Sequence, residues 1–295
     1  MTAAELPVPS SGLLEVVDRV NEALDTFLEV RRKEIHWQEP QAALMVDEVL
    51  RLVRAGGKRL RPAFCYWGYR AAGGADGPQI VKAAASIELL HTMALVHDDL
   101  IDGTVERRGA PTSVPRLRDE ARERGLGRGD PEAFGGSGAL LVGDLAAVFA
   151  DRLLLESGFP AGPLTRALAP YHAMRVDMAI GQFLDLAVVP VEPAAARRIA
   201  ALKGGSYTVE GPLLIGSALA GGTPFLETRL RRFGIPLGEA FQLRDDLHDG
   251  DGRHGATAAD VNALVEEAVA ALDPEVLDPG AVEALREMAG LIAAR

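Results

Sequence analysis

Apolar residues recur at three- and four-residue spacings along most of the chain, which is typical of helices that bury one face. This periodicity predicts helices over 13–32, 40–54, 61–72, 79–101, 138–156, 162–187, 193–220, 228–247, 257–272 and 279–294. Paired glycines at 73–74 and 221–222 separate such segments, because glycine favours turns over helix interiors. Strand-like alternation of apolar and polar residues is absent. We therefore expect an all-α fold in the form of a helical bundle.

The composition supports this expectation. Apolar residues make up 48% of the 295-residue chain but aromatic residues only 5%, and alanine and leucine suit helices better than sheets. A chain of this length could form one large domain or two, but no linker or change in composition divides it. We therefore predict a single helical domain over 1–295. A stretch rich in glycine, arginine and acidic residues, 120–138, is predicted to be a loop.

Several features bear on where the protein works and what it binds. The N-terminal segment 1–11 lacks the basic and apolar regions of a signal peptide, and we identify no apolar run of about 18 residues. The single Cys65 excludes an internal disulfide and lies in an apolar stretch, which predicts a buried structural thiol. The net charge of −11 argues against nucleic acid as the main partner. We expect a cytoplasmic protein without a transmembrane segment.

Two copies of the acidic pattern DDxxD carry the first indication of chemistry. They span 98–102 and 245–249, and each follows an apolar run. Helix positions i and i+4 share a face, so each copy can direct two or three carboxylates to one point. Mg²⁺ binds such oxygen ligands together with the phosphates of a substrate. Either copy alone would more often be a solvated helix end, but two copies predict a paired magnesium site around a diphosphate.

Clustered cations strengthen this interpretation. The segment 56–62 reads GGKRLRP, and Arg107 and Arg108 follow the first acidic pattern. Arginine forks match phosphate oxygens, and a lysine adds a mobile point charge. Only four of the 31 basic residues are lysines, so a lysine in a Gly-Gly-Lys-Arg loop is less expected as surface decoration. The loop could also act simply as a glycine helix stop with basic residues in the last turn.

In their order along the chain, these motifs resemble those of the trans-polyprenyl diphosphate synthases. The matching segments are GKRLRP at 57–62, HDDLID at 97–102, RRGAPT at 107–112, GQFLDL at 181–186, Lys203, YTVE at 207–210 and FQLRDD at 241–246. The resemblance implies an isoprenoid-synthase-type helical bundle with the active site in the bundle core. It also implies a homodimer that condenses isopentenyl diphosphate with an allylic diphosphate.

The resemblance further implies a role for each matching residue. Carboxylates that would bind Mg²⁺ most directly are Asp98, Asp102 and Asp245, with Asp99, Asp246 and Asp249 supporting them through water. Groups that would hold isopentenyl diphosphate are Lys58, Arg61, His91 and Arg108. Groups that would contact the allylic diphosphate are Arg107, Lys203 and Gln242. The direct metal ligands and Lys203 would be the catalytic residues.

Two residues on the helix that carries the first acidic pattern would set the product length. Ala94 lies four residues before Asp98, about 6 Å deeper along the helix, and Met93 lies one residue further back. In the family, bulky aromatic residues at these positions favour a farnesyl product. Neither residue here is aromatic, so the resemblance implies a product of geranylgeranyl length, although both side chains could simply pack in the core.

The chain also departs from the family pattern. Gly204 follows Lys203, where the family usually has a hydroxyl side chain. Only 46 residues follow Asp249, and none is a lysine, whereas the family continues with a lysine-bearing loop and further helices. Either the region after 249 is truly shortened or the sequence omits a segment. If the deletion is real, Arg253 or His254 could replace a missing phosphate contact, but His254 otherwise reads as an ordinary loop residue.

Other functional classes explain less of the sequence. A class I terpene cyclase would share the fold, but its second metal motif normally mixes Asn, Ser or Thr with Glu, and it binds only one diphosphate. A non-catalytic subunit of a heteromeric synthase is compatible with a shortened C-terminal region, yet such subunits usually lose the acidic motifs. A structural cation-binding protein would leave the clustered cations unexplained. A magnesium-dependent prenyltransferase explains both acidic motifs and the clustered cations, and it is the interpretation that we prefer.

Overall fold

α-Helices make up most of the chain, as the apolar periodicity predicts. The computed structural model describes residues 11–187, 192–248 and 255–293, and these contain twelve α-helices. In chain order they are α1 (Ser11–Gln38), α2 (Ala43–Arg54), α3 (Leu60–Ala71), α4 (Pro78–Asp102), α5 (Ser113–Arg124), α6 (Pro131–Leu155), α7 (Ala161–Ala187), α8 (Pro193–Ala200), α9 (Gly211–Ala220), α10 (Pro224–His248), α11 (Ala258–Ala270) and α12 (Pro279–Ala293). The all-α prediction is confirmed.

Short elements complete the described structure. Strands β1 (Glu106–Arg107) and β2 (Ala110–Pro111) form an antiparallel pair, in which Arg107 lies opposite Ala110. Two 3₁₀ turns precede α2 and α6, at Pro40–Ala42 and Gly127–Gly129. A π-helix, Ala201–Glu210, separates α8 from α9. The single helix predicted over 193–220 is therefore three consecutive elements.

The prediction of a loop over 120–138 is wrong for most of this range. α5 continues to Arg124, and α6 begins at Pro131. Asp130 caps α6 by accepting a hydrogen bond from the backbone N–H of Ala133 at 3.0 Å, and proline suits the first helical position. α5 itself was not predicted, because few apolar side chains, mainly Leu117 and Ala121, mark its buried face among many charges.

The chain separates into two compact units. One comprises 1–19, 59–84 and 157–295, and the other comprises 20–58 and 85–156. We call them the C-terminal unit and the N-terminal unit. The prediction of a single domain over 1–295 is not tested by this division.

The core of the C-terminal unit forms around α3, α9, α10 and the last two helices. Phe64 and Phe233 are fully buried within it, and their rings pack 6.5 Å apart. Cys65 on α3 is also fully buried, and this burial raises the pKa of its thiol. A buried structural thiol, as predicted, fits this position.

The N-terminal unit has its own core. Phe27 on α1 and Phe149 on α6 meet edge to face with ring centroids 5.7 Å apart. α5 packs along α6, and α2 also contacts α6. The side chains of Leu24, Val46 and Leu117 are buried in this unit. This core supports the helices from which the first acidic cluster and the basic loop extend.

α4 is the one helix in the described part of the chain that is long and apolar enough to cross a membrane. Its most apolar 18-residue window is 72% buried inside the structure. The prediction that no apolar run reaches about 18 residues is wrong for α4. Such burial is typical of a core helix, and a core helix can be as long and as apolar as a membrane-spanning one.

The close approach of α3 and α9 requires glycine at Gly216. A β-carbon there would overlap the backbone carbonyl oxygen of Cys65. We predict that Gly216→Ala lowers the free energy of unfolding by about 2 kcal/mol or more, because backbone rather than a flexible side chain must move. Chemical denaturation measures the change.

Gly290 provides the matched control. It lies inside α12, is exposed and would place a β-carbon in open space. Gly290→Ala should raise the free energy of unfolding by about 0.5–1 kcal/mol, because alanine loses less backbone entropy on helix formation. Equal effects of the two substitutions would contradict the close packing of α3 against α9.

Candidate active site

The first acidic cluster lies at the C-terminal end of α4. Asp98 and Asp102 are one helical turn apart on the same face, and Asp102 is exposed. The side chain of Asp99 differs from them because it is only 6% exposed, against 28% for Asp98. Its carboxylate faces Arg107 instead. The helix end therefore presents Asp102 towards solvent, leaves Asp98 partly exposed and directs Asp99 to a cation of the same unit.

Arg107 binds two of these carboxylates. Its Nη2 lies 2.8 Å from Oδ1 of Asp99 and 3.4 Å from Oδ2 of Asp98, and its Nε also donates to Asp99. Burial alone would lower the pKa of Arg107, but the hydrogen bond and charge of Asp99 outweigh it and raise that pKa. In this structure Arg107 thus offsets part of the negative charge of the acidic cluster. Its predicted contact with the allylic diphosphate stays a prediction.

A tight hairpin brings Arg107 back to the helix end. Between β1 and β2, Arg108 and Gly109 both have positive φ angles, 54° and 76°. Two successive residues of this kind form the turn that best matches the twist of paired strands. A left-handed conformation is unusual for an arginine and costs free energy. The same residue donates from Nη1 to the backbone oxygen of Gly56 at 3.2 Å, so the hairpin contacts the basic loop.

The basic loop divides between the two units. Lys58 is exposed in the N-terminal unit, whereas Arg59, at the start of α3, is buried in the C-terminal unit. Arg61 donates from Nη2 to Oγ1 of Thr208 at 2.8 Å, and its guanidinium lies 4.8 Å from the ring centroid of Tyr207. The predicted diphosphate ligand Arg61 is therefore held by the π-helix. Tyr207 and Thr208 belong to the YTVE motif, but their contact with Arg61 was not predicted from the sequence.

The π-helix also carries Lys203. Its Nζ lies 3.0 Å from Oδ2 of Asp185, near the end of α7. A β-carbon at Gly181 would overlap the backbone of Lys203, so glycine allows α7 and the π-helix to approach closely. π-Helical turns occur frequently at functional sites, because the wider turn redirects side chains. Asp185 belongs to the GQFLDL motif, but its pairing with Lys203 was not predicted from the sequence.

The second acidic cluster lies in the last turns of α10. Asp245 and Asp246 are half-buried there, and Nε2 of Gln242 donates to Oδ1 of Asp246 at 2.9 Å. Arg244 donates to the backbone oxygen of Ala293 and thereby attaches this helix end to α12. The predicted metal ligand Asp249 lies outside the described residues.

Gln242 also contacts the π-helix. A β-carbon on Gly204 would overlap Oε1 of Gln242, so the amide occupies the space that a side chain at 204 would need. The other end of the same amide reaches Asp246. Gln242 therefore connects the residue after Lys203 to the second acidic cluster within the C-terminal unit. This contact was not predicted from the sequence.

The remaining predicted residues lie on α4 before Asp98. His91 is seven residues from Asp98 and Ala94 is four, so they share its face of the helix. Met93 lies beside them, and all three side chains are half-buried. Neither Met93 nor Ala94, the two residues assigned to product length, is aromatic. This arrangement is compatible with the predicted role of Met93 and Ala94 without testing it.

The donor set suits a hard divalent cation. Asp98 and Asp102 offer carboxylate oxygens on one helix face, as Mg²⁺ prefers. Among the residues that the structure describes, no three histidine, cysteine, aspartate or glutamate side chains form a group able to hold a metal ion by themselves. Mg²⁺ usually keeps waters and shares phosphate oxygens of its substrate, so two carboxylates per cluster fit it when a diphosphate supplies the rest.

Known proteins resemble this chain over most of its length. A solved structure of geranylgeranyl pyrophosphate synthase from Corynebacterium glutamicum, complexed with isoprenyl diphosphate and magnesium, has a TM-score of 0.85. It is 26% identical, and the match covers 93% of this chain and 97% of that one.

Curated relatives match as well. Geranylfarnesyl diphosphate synthase of Aeropyrum pernix is 30% identical over 67% of this chain. The all-trans-nonaprenyl-diphosphate synthase of Rhodobacter capsulatus is 30% identical over 71% of it. The chain spans only 59% and 58% of the length of these two relatives.

A family model gives the broadest assignment. Residues 43–261 match the polyprenyl synthetase model, a range that includes the basic loop, the hairpin, the π-helix and both acidic clusters. The recognition made from the ordered motifs is thereby confirmed. The protein belongs to the polyprenyl synthetase family.

Proposed function

We propose that the protein catalyses the magnesium-dependent, head-to-tail condensation of isopentenyl diphosphate with an allylic diphosphate and releases geranylgeranyl diphosphate. One observation carries the proposal: each unit places a pair of carboxylates at a helix end beside cationic or amide groups. In the N-terminal unit these are Asp98 and Asp102 with Arg107 nearby. In the C-terminal unit Asp245 and Asp246 lie beside Gln242. Family membership supports the assignment.

The reaction requires a diphosphate to leave as an anion. The C–O bond of the allylic diphosphate breaks, the isopentenyl double bond attacks the resulting allylic cation, and loss of a proton restores a double bond. Mg²⁺, when bound, acts as a Lewis acid that neutralises the leaving diphosphate. Asp98, Asp102 and Asp245 would hold it, with Asp99, Asp246 and Asp249 in support. Asp99 is paired with Arg107 at 2.8 Å, so its supporting role would be exerted beside that cation.

Cationic side chains of this chain would orient the two substrates. Lys58 and Arg108 both lie in the N-terminal unit, and the hydrogen bond from Arg108 to Gly56 brings the hairpin to the loop that carries Lys58. These two residues, with Arg61 and His91, would bind isopentenyl diphosphate. Arg107, Lys203 and Gln242 would contact the allylic diphosphate, and such fixed positive groups stabilise the charge that develops as it leaves.

Two of these cationic groups are already paired and are not placed to act as a strong general base. Lys203 is engaged with Asp185, and Arg61 with Thr208. As the resemblance implies, the departing diphosphate would accept the proton that is lost in the last step. The protein would then contribute substrate position, charge neutralisation and exclusion of water. The largely buried, apolar α4 would supply an apolar wall that suits an allylic cation.

The product length is the finer part of the proposal. Relatives at about 30% identity carry geranylfarnesyl and nonaprenyl names, and the C. glutamicum structure a geranylgeranyl one. Ala94 lies one turn before Asp98, so a small residue leaves space for a growing chain, and the flexible Met93 would form a partial floor. We therefore favour the twenty-carbon product. The homodimer and the cytoplasmic location stay predictions.

The central experiment measures product formation. Purified protein with Mg²⁺, isopentenyl diphosphate and dimethylallyl, geranyl or farnesyl diphosphate should yield a twenty-carbon alcohol after dephosphorylation, detected by mass spectrometry. Asp98→Ala and Asp245→Ala should each lower kcat by about 10³-fold, because each would remove a direct metal ligand. Their helical circular dichroism should not change.

Asp119 provides a matched control for these two substitutions. It is a surface carboxylate on α5 and pairs with Arg118 and Arg122. Asp119→Ala should retain wild-type turnover. The absence of any product from all three primers would contradict the proposed condensation and favour a non-catalytic subunit. Full activity of Asp98→Ala would contradict the metal assignment alone.

A second prediction concerns Ala94. Ala94→Phe should shorten the product to fifteen carbons, because an aromatic ring one turn below Asp98 fills the path of the growing chain. Ala94→Ser keeps a small side chain and should still give the twenty-carbon product. Product lengths are compared by mass spectrometry after equal turnover. An unchanged product from an active Ala94→Phe enzyme would show that this helix face does not limit the chain.

A third prediction follows from the contact between Gly204 and Gln242. Gly204→Ala should raise KM for the allylic diphosphate about tenfold, because the added methyl displaces the Gln242 amide from Asp246. In a Gln242→Ala background the same change should have little further effect, since no amide remains to be displaced. Additive effects in this double-mutant cycle would refute the coupling.

A further inference from the structure

A buried carboxylate lies outside all the motifs considered so far. Glu48, on α2, is only 1% exposed. Its Oε1 accepts from Nη2 of Arg51 at 2.6 Å and from Oγ of Ser113 at 2.7 Å. Its Oε2 accepts from Nε of Arg51 at 2.8 Å and from Nε of Arg116 at 2.9 Å. Four donors from two helices therefore surround one carboxylate.

This arrangement is a link between helices rather than a local pair. Arg51 belongs to α2, like Glu48, whereas Ser113 and Arg116 lie in the first turn of α5. A buried carboxylate is tolerated only when charged and hydrogen-bonded partners replace its hydration. The partners on α5 supply two of the four donors. If α2 and α5 separated, the Glu48 carboxylate would therefore lose two hydrogen bonds.

The two helices lead directly to the phosphate-binding candidates. α2 ends at Arg54, four residues before Lys58 of the basic loop. α5 begins at Ser113, two residues after β2 of the arginine hairpin. All these elements belong to the N-terminal unit. The Glu48 contacts therefore join the helix that precedes the loop to the helix that follows the hairpin.

Contacts further along both segments continue this connection. Thr112, next to Ser113, donates from Oγ1 to the backbone oxygen of Thr104 at 2.6 Å and from its N–H to Val105 at 3.1 Å, which closes the base of the hairpin. At the tip, Arg108 donates to Gly56 of the basic loop. The hairpin is thus held at its base by Glu48 and Thr112 and at its tip by Arg108.

The two arginines are committed to this link and do not form a separate anion site. A groove of about 360 Å³ lies beside Arg51 and Arg116. Its lining also includes three carboxylates, those of Asp119, Glu120 and Glu123, which outnumber the two guanidiniums. A diphosphate would be repelled there. Glu48 is a partner of both arginines, and Arg116 also lies 3.6 Å from Glu120.

We infer that Glu48 is a positioning residue, whose carboxylate holds the base of the arginine hairpin at α2 and thereby keeps Arg108 beside the loop that carries Lys58. This inference rests on the proposed function, because it concerns the binding of isopentenyl diphosphate by these two cations. Glu48 does not touch substrate; it acts through α5 and the hairpin.

Substitution on the α5 side of the link gives the most direct test. Ser113→Ala and Arg116→Gln leave the Glu48–Arg51 pair within α2 but remove a donor from α5. Each should raise KM for isopentenyl diphosphate about tenfold while kcat changes less than about twofold, since uniform binding is lost. The dissociation constant of isopentenyl diphosphate, measured by titration calorimetry with Mg²⁺, should rise by the same factor. Glu48→Gln should show the larger effect, provided that it folds.

Asp47 provides the matched control. It is the neighbouring residue on α2 and pairs with Arg32 of α1, so Asp47→Asn removes an ion pair of the same helix without touching α5. Its KM and dissociation constant should match those of the wild type. Unchanged binding in both α5 variants, whatever their melting temperatures, would overturn the inference and leave Glu48 with a stabilising role only.

The design separates this inference from the proposed function. A wild-type protein that makes no product with any primer contradicts the proposed condensation before the variants are compared. A wild-type protein that makes product and binds isopentenyl diphosphate, with α5 variants that bind it equally well, contradicts only the role of Glu48. Weaker binding in the α5 variants with wild-type binding in Asp47→Asn supports the positioning role.

Discussion

The ion pair between Asp99 and Arg107 determines how the end of α4 is presented. A carboxylate as buried as that of Asp99 requires a charged partner, and the apolar helix that precedes it offers none. The partner comes from the chain that follows, which must reverse direction within a few residues. The left-handed conformation of Arg108 and Gly109 makes that reversal possible. With Asp99 directed towards Arg107, Asp98 contacts the same arginine only at 3.4 Å, and Asp102 lies exposed at the helix end.

The same constraint recurs in the C-terminal unit with different partners. Lys203 faces Asp185, Gln242 faces Asp246, and Arg61 lies against Thr208 and Tyr207. Two of these contacts involve the π-helix, which contributes Lys203 to one and Thr208 to the other. Both residues therefore lie within one short segment of ten residues. Polar side chains in a bundle that is otherwise apolar are therefore fixed in pairs, so that their orientation is set before any substrate binds.

The part of this arrangement that could be predicted from the sequence is the local part. The DDxxD spacing and the helical periodicity concern residues within one or two turns. The helices that carry Asp98 and Asp245 are confirmed, and the metal site inferred from the DDxxD spacing stays a prediction. α5 was missed because its buried face has few apolar side chains. The π-helix was read as ordinary helix, because the difference lies in backbone hydrogen bonding. The link from Glu48 to Ser113 joins residues 65 positions apart, and no spacing rule connects them.

A resemblance between sequences transfers residue types but not the neighbours that those residues acquire. Gly204 illustrates the difference: compared with the family pattern it is a lost hydroxyl, whereas in the structure the space is taken by the amide of Gln242. The departure at 204 and the contact of Gln242 with Asp246 are therefore one feature rather than two. A β-carbon added at 204 would overlap this amide, so the Gln242 side chain would have to move away from its present position. The effect of a departure from a family motif thus depends on which side chain has moved into its place.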